Sequence, residues 1–253
     1  MRFVQNSNLP EGPVRLCAVG ERYGMLIAAL EARGIACLRV PEYPGLPAPV
    51  ACHADLQLCH LGGARIAVAA GRGREGLLEA LRKRGFSAEA AGPLTPDYPG
   101  DVPLNCAVVG KVCIGGKDKI DKIITNYCGE VGITLVPVNQ GYAKCSVCAV
   151  DERSIITQDP SIAQAAKRHG LNVLKIQAGR ILLPGYDTGF IGGCSGLLGR
   201  KLLAFTGSLG AHPDGEWIKE FLHSRGVEPL ELTDGPLYDV GSILPLLEED
   251  ARR

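Results

Sequence analysis

Five times along the chain an apolar, strand-like run is followed by a helical pattern, a single glycine and a second strand-like run. The glycines are Gly34, Gly85, Gly132, Gly170 and Gly226. Each stands just past a segment whose apolar residues recur at helical spacing, where a helix ends in a left-handed residue and glycine has no Cβ to object. The spacing predicts helices over 23–33, 75–84, 119–131, 161–169 and 215–225. Strands are predicted on either side, at 14–19 and 35–40, 64–70 and 86–90, 112 onward and 133–138, 154–157 and 172–176, and 201–206 and 228–232. A period of about 40 to 55 residues belongs to rings and arrays of supersecondary units, in which each unit buries its apolar face on the next.

The repeating unit reads as strand, helix, strand, loop, and a further strand that hairpins into the next unit. Five such βαβ-type modules can close into a five-fold pseudosymmetric β/α propeller, with 1–253 as one domain and the loop-to-strand junctions pointing inward. A doubly wound parallel sheet is the competing arrangement, because strand–helix alternation suits it as well.

The totals narrow the function classes. Lys plus Arg (27) equals Asp plus Glu (27), with no basic stripe, which argues against a nucleic-acid partner or a charged membrane surface. No apolar run approaches the roughly 18 residues of a spanning helix, and the opening Met1-Arg2-Phe3-Val4-Gln5-Asn6 has no signal-peptide character, so a cytoplasmic protein is expected. Most of the ten cysteines lie in apolar strand-like runs and read as small buried hydrophobes. Cys145-Ser146-Val147-Cys148 has C-x-x-C spacing, but a zinc site needs a second pair, and a dithiol site opens a helix where a strand is expected. No metal or organic cofactor is expected.

The inward junctions carry the candidate chemistry. They contribute His53, Asp101, Cys145, Asp187 and Asp239, placed in the same neighbourhood of successive units. A cysteine nucleophile needs a base or electropositive surroundings, which His53 supplies, with Lys144 alongside. Carboxylates in the same pocket suit a small cationic substrate and can orient the histidine. Gly71-Arg72-Gly73-Arg74-Glu75-Gly76 fits the dinucleotide fingerprint, which leaves a Rossmann-type binder as an alternative. The equivalent junctions at Gly115-Gly116 and Gly207-Ser208-Leu209-Gly210 are glycine-rich too, so the glycines are a property of this turn in the repeat. His60, His169, His212 and His223 read as surface or helix-end residues, and Gly192-Gly193-Cys194-Ser195-Gly196 lacks nucleophile-elbow spacing.

Taken together, the chain resembles the pentein superfamily of guanidino-group-modifying enzymes, which includes dimethylaminohydrolases and deiminases. His53-Ala54-Asp55-Leu56 is similar to that family's H-x-D segment, which carries its catalytic histidine. Lys144-Cys145-Ser146-Val147 is similar to its nucleophile segment, and Tyr186-Asp187 and Leu237-Tyr238-Asp239-Val240 to its two acidic segments. The resemblance implies a five-bladed propeller and a cofactor-free hydrolase or transferase acting on a guanidinium or amidinium C–N bond. It implies Cys145 and His53 as catalytic residues, with Asp187 and Asp239 binding substrate; Asp101 is added as a substrate-binding candidate by its place in the repeat. The familiar members place the acids first and the cysteine near the end. The order His, Cys, Asp, Asp is then a circular permutation. Non-catalytic members of the fold, which bind a partner without chemistry, give the alternative reading.

Overall fold

A computed structural model describes residues 1–250; Ala251, Arg252 and Arg253, the end of the expected 1–253 domain, lie outside the described residues. All five predicted helices form, with ends within one to three residues of those expected: Gly24–Glu31, Glu75–Arg82, Lys122–Val131, Pro160–Arg168 and Gly215–Ser224. The five stop glycines have φ of +73°, +87°, +71°, +80° and +68°, a conformation that costs other residues steric energy. Two helices start on a built cap. The side chain of Asp121 accepts from Ile123 N at 2.8 Å, and that of Asp159 from Ile162 N at 2.8 Å with Pro160 in the first turn.

The strands form five small sheets of one design. Leu58–Gly62 pairs antiparallel with Arg65–Ala70, which pairs parallel with Ser87–Pro93. The same hairpin plus parallel strand recurs as Ala107–Val109, Val112–Gly116 and Thr134–Val138. It recurs again as Val147–Asp151, Ser154–Thr157 and Asn172–Lys175, and as Ser195–Gly199, Leu202–Phe205 and Glu228–Glu231. The remaining sheet is assembled from both ends of the chain. Leu244–Glu248 supplies the antiparallel partner of Val14–Gly20, which pairs parallel with Ala36–Val40, and Arg2–Phe3 adds an edge.

The core is divided among these sheets. Each helix turns an i, i+4 apolar pair onto the sheet of the preceding unit. Leu77 and Leu81 pack with Leu16, Ala18 and Leu244; Ile124 and Cys128 pack with Ala67 and Ala69. Ile162 and Ala166 meet Val112 and Ile114, and Ile218 and Leu222 meet Cys148 and Ile156. The first helix, through Leu26 and Leu30, covers Leu198 and Ala204 of the last unit. Burying one such leucine is worth about 1.5–3 kcal/mol, so every unit depends on a neighbour for its stability.

One local expectation is corrected. Cys145 lies not in a strand but in the single helical turn Ala143–Ser146, and the strand begins at Val147. His53 likewise precedes a turn, Ala54–Gln57, before the strand at Leu58. Around Cys145 the reason is a side chain that takes the place of a strand partner: Asn105 Oδ1 accepts from Lys144 N at 2.8 Å and from Cys145 N at 3.2 Å.

Candidate active site

The five junctions run into the hairpin strands in similar register. Two residues before those strands begin stand Leu56, Asn105, Cys145, Gly193 and Ser242. His53 and Asp239 each stand five residues before their strand. Alignment of this kind brings residues far apart in sequence onto one cavity of about 230 Å³, whose lining includes His53, Cys145, Asp187 and Asp239. Four of the five predicted residues therefore share a wall. Asp101 is buried behind it, accepting a hydrogen bond from the hydroxyl of Tyr142, an aromatic that does line the cavity. Asp187 differs from Asp239 in setting: it lies on an exposed loop, whereas Asp239 is 1 % exposed.

Sequence reasoning gave Asp55 no role of its own, yet its carboxylate is hydrogen-bonded to the sulfur. The Cys145 thiol donates to Asp55 Oδ2 at 3.0 Å, and Asn105 Nδ2 donates to Cys145 Sγ at 3.1 Å. Ser242 Oγ contacts the same Asp55 oxygen at 2.6 Å and accepts from Lys144 Nζ at 3.0 Å. Lys144, buried, thus faces Asp55 through a hydroxyl and does not line the cavity. The signals available were the H-x-D spacing and the shared register of Asn105 and Ser242 with Cys145.

Glycines make the room. A methyl group at Gly193 would overlap the Asp239 carboxylate, and one at Gly241 would overlap His53. Asp239 is then held by backbone: Phe190 N donates to Oδ2 at 2.9 Å and Gly241 N to Oδ1 at 3.0 Å. His53 Nδ1 lies 3.8 Å from the same Oδ1.

The electrostatics describe a resting, neutral pair. Burial lowers the His53 imidazole to about 4, against the pull of the Asp55 carboxylate. Burial also pushes the Cys145 thiol well above its ordinary value, helped by the charges of Asp55 and Asp239. Asp239 is raised to about 6 by burial, opposed by the N–H groups of Gly241 and Phe190 and by Lys144. Two buried acceptors, His53 Nε2 and Asp55 Oδ1, have no protein partner. Buried polar atoms without partners are costly, and their clustering marks a place where a ligand completes the hydrogen bonding. Ligand atoms of His53, Asp55 and Cys145 lie within 4.8 Å of one another, a nitrogen, oxygen and sulfur set that would also fit zinc.

Elsewhere, the histidine expectation fails for His60, a strand residue, and holds for His212, which ends the short helix Leu209–Ala211 although it is buried there. His60 and His212 are buried, at 4 % exposure each, His60 with Nε2 against Gly63 O and His212 with Nδ1 accepting from Asp214 N. The glycine-rich loop of the Rossmann alternative is filled from within. A Cβ at Gly71 would stand 2.6 Å from the Tyr43 hydroxyl, which itself donates to Ala70 O and accepts from Leu94 N. All ten cysteines are free thiols, nine buried and Cys37 partly so.

The fold is that of the pentein superfamily. An amidinotransferase of the saxitoxin biosynthetic pathway from Microseira wollei superposes with a TM-score of 0.57 at 13% identity, over 98% of each chain. The inosamine-phosphate amidinotransferase of Streptomyces griseus gives 0.57 at 12%, over 100% of this chain and 98% of the other. A cysteine-to-serine variant of the Pseudomonas aeruginosa enzyme DDAH, complexed with citrulline, gives 0.55 at 10%, over 93% and 100%. No curated protein matches in sequence. Residues 18–244 match the profile of DUF6873, a family of unknown function, and the chain belongs to that family.

Proposed function

We propose that this protein is a guanidinium- or amidinium-modifying enzyme with Cys145 as nucleophile and His53 as acid and base. The observation that carries the reading is the convergence of Cys145, His53 and Asp239 on one cavity, with Asp55 hydrogen-bonded to the Cys145 sulfur and His53 Nε2 and Asp55 Oδ1 unpartnered. A planar cation between Asp55 and Asp239 would satisfy the open acceptor by charge-assisted hydrogen bonds. It would also offset the two carboxylates that hold the thiol protonated, so that ligand entry itself favours the thiolate.

The thiol proton passes to His53, and the thiolate sulfur forms a bond to the central carbon. One C–N bond then breaks, and its electron pair leaves on an amine that takes the proton from His53. Cys145 is left as an S-amidino adduct. Water, deprotonated by His53, or an acceptor amine attacks the same carbon and releases the thiolate. Besides His53 the cavity lining carries two carboxylates, Asp187 and Asp239; in this reading they hold the cation, and His53 makes both proton transfers.

The architecture belongs to the same proposal. We read the five sheets as a closed five-fold pseudosymmetric propeller and the chain as one domain. Support comes from the last strand pairing with Val14–Gly20 and from the first helix covering the last unit. A ring closed in this way can be opened between different units, which accounts for the His, Cys, Asp, Asp order.

The test is acid-quench mass spectrometry of the protein mixed with alkylguanidines, with and without a chelator. An amidino adduct on Cys145, lost in Cys145→Ser, supports the enzyme. Binding without any adduct supports a non-catalytic pocket, which a protonated resting thiol would also suit. Binding that needs added zinc supports the metal set.

A further inference from the structure

Behind the cavity wall, two buried side chains are built onto the carboxylate that meets the sulfur. We infer that Ser242 and Lys144 are positioning residues of the reaction: the Lys144 ammonium, acting through the Ser242 hydroxyl, is the counter-charge of Asp55 and the brace that leaves Asp55 Oδ1 free for the incoming cation. The inference rests on the proposed reaction at Cys145 and adds to it two residues that touch neither the sulfur nor the substrate.

The backbone singles out Ser242. Its φ is +70° and it is fully buried. The other non-glycine residues with positive φ among the described residues are Asn8 and Asp118, types whose short polar side chains suit that region, and neither is fully buried. Of the five residues at the shared step before the hairpin strands, Ser242 alone is left-handed. Glycine would adopt this backbone without steric cost. The serine carries strain that a glycine would not, and strain of this kind gathers at functional positions.

What the strain secures is the hydroxyl. Lys144 Nζ donates to Ser242 Oγ at 3.0 Å, and Ser242 Oγ lies 2.6 Å from Asp55 Oδ2 and 2.9 Å from Gly192 O. One hydroxyl proton serves one acceptor at a time. The 2.6 Å contact has the length of a charge-assisted bond from hydroxyl to carboxylate, so the proton goes to Asp55. The Cys145 thiol meets the same oxygen at 3.0 Å. Two donors thus fix Oδ2, and Oδ1 is left without a partner. Asp55 is fully buried, and a carboxylate at that depth keeps its charge only beside a cation. Lys144, itself buried, is joined to it by the hydroxyl. Neither Lys144 nor Ser242 lines the cavity, so both act through Asp55 and not on a substrate.

The experiment measures labelling of Cys145 by 2-chloroacetamidine, a cation, and by iodoacetamide, which is neutral, and takes the ratio of the two rates from peptide mass spectrometry. General loosening of the site changes both rates together, whereas loss of an oriented, charged Asp55 changes the ratio. Ser242→Gly removes the hydroxyl and leaves a residue that the backbone suits. Lys144→Met removes the ammonium at similar length. The ratio should fall about tenfold in each, the scale of one hydrogen bond to a charged group. In an Asp55→Asn background Ser242→Gly should lower it no further, because the two changes break one connection. Where Lys144→Met does not fold, Ser242→Gly decides. A ratio that keeps its parent value in Ser242→Gly or in folded Lys144→Met, or that falls again in the Asp55→Asn background, overturns this inference and leaves the nucleophile standing. Failure of 2-chloroacetamidine to mark Cys145 in the parent protein overturns the proposed reaction and this inference with it.

Discussion

Asn105 and Cys145 stand at the same step of neighbouring units, and the Asn105 amide reaches across to donate to Cys145 Sγ at 3.1 Å while its carbonyl holds the Cys145 N–H at 3.2 Å. One side chain therefore fixes both the backbone turn that presents the sulfur and the donor that would stabilise it as a thiolate.

Asn105→Ala should slow alkylation of Cys145 by about tenfold and lower stability by about 1–3 kcal/mol, the cost of stranding buried polar groups. Asn105→Asp should slow it further, because it replaces a donor to sulfur with a third carboxylate beside it. Alkylation rates and urea midpoints for the two variants check this; equal rates in all three proteins would contradict the assigned role.

Gly241 has φ of +72° and no space for a methyl group beside His53. Gly241→Ala should displace the imidazole and abolish formation of an S-amidino adduct, with a stability loss of about 1–3 kcal/mol from the left-handed backbone. A variant that still forms the adduct at the parent rate would show that His53 can be moved without consequence.

Stability should fall on acidification below neutrality. His53 and His60 are both lowered to about 4 by burial. From roughly pH 6.5 down to about 4 the unfolded chain binds protons that the folded chain refuses, so stability is lost across that window, at most about 3 kcal/mol per histidine. Asp239 acts oppositely. Raised to about 6, it contributes stability that is present at low pH and lost as pH rises through 6. His212 is also lowered by burial and Asp101 also raised by it; with three histidines against two carboxylates, urea midpoints should fall between pH 7 and pH 4.5, and less steeply in His53→Gln. A flat or rising profile would contradict the burial of the two rings.

Leu30 is fully buried where the first helix covers the last unit. Leu30→Ala should cost about 2–5 kcal/mol in a single cooperative transition. Loss of the first unit alone, with the rest of the chain still protected from hydrogen exchange, would contradict a closed ring.

Much of this was legible in the sequence because the local signals agree. A helix-stop glycine, an i, i+4 apolar pair and two flanking strand-like runs recur together, and each recurrence strengthens the others. His53, Cys145 and Asp239 were legible through their common approach to a hairpin. Asp55 was overshadowed by His53, since in a short segment nothing local says which side chain faces the sulfur. Asn105 and Ser242 were missed because their importance lies in contacts made across units. His60 was misread because a histidine buried neutral, with one ring nitrogen on a neighbouring backbone group, leaves no periodic trace. Cys145 was placed in a strand because Val147 to Val150 is one; the preceding turn is set by Asn105, forty positions away in the chain.

The central claim is that Cys145 alone among ten thiols is built to meet a planar cation. Timed labelling with 2-chloroacetamidine, against iodoacetamide as the uncharged control, tests it most directly. The account predicts that the amidine marks Cys145 ahead of the other nine cysteines, faster than iodoacetamide does, and that His53→Ala and Asp55→Asn each slow it by tenfold or more. Labelling that follows exposure, with Cys37 first and Cys145 among the last, would contradict it.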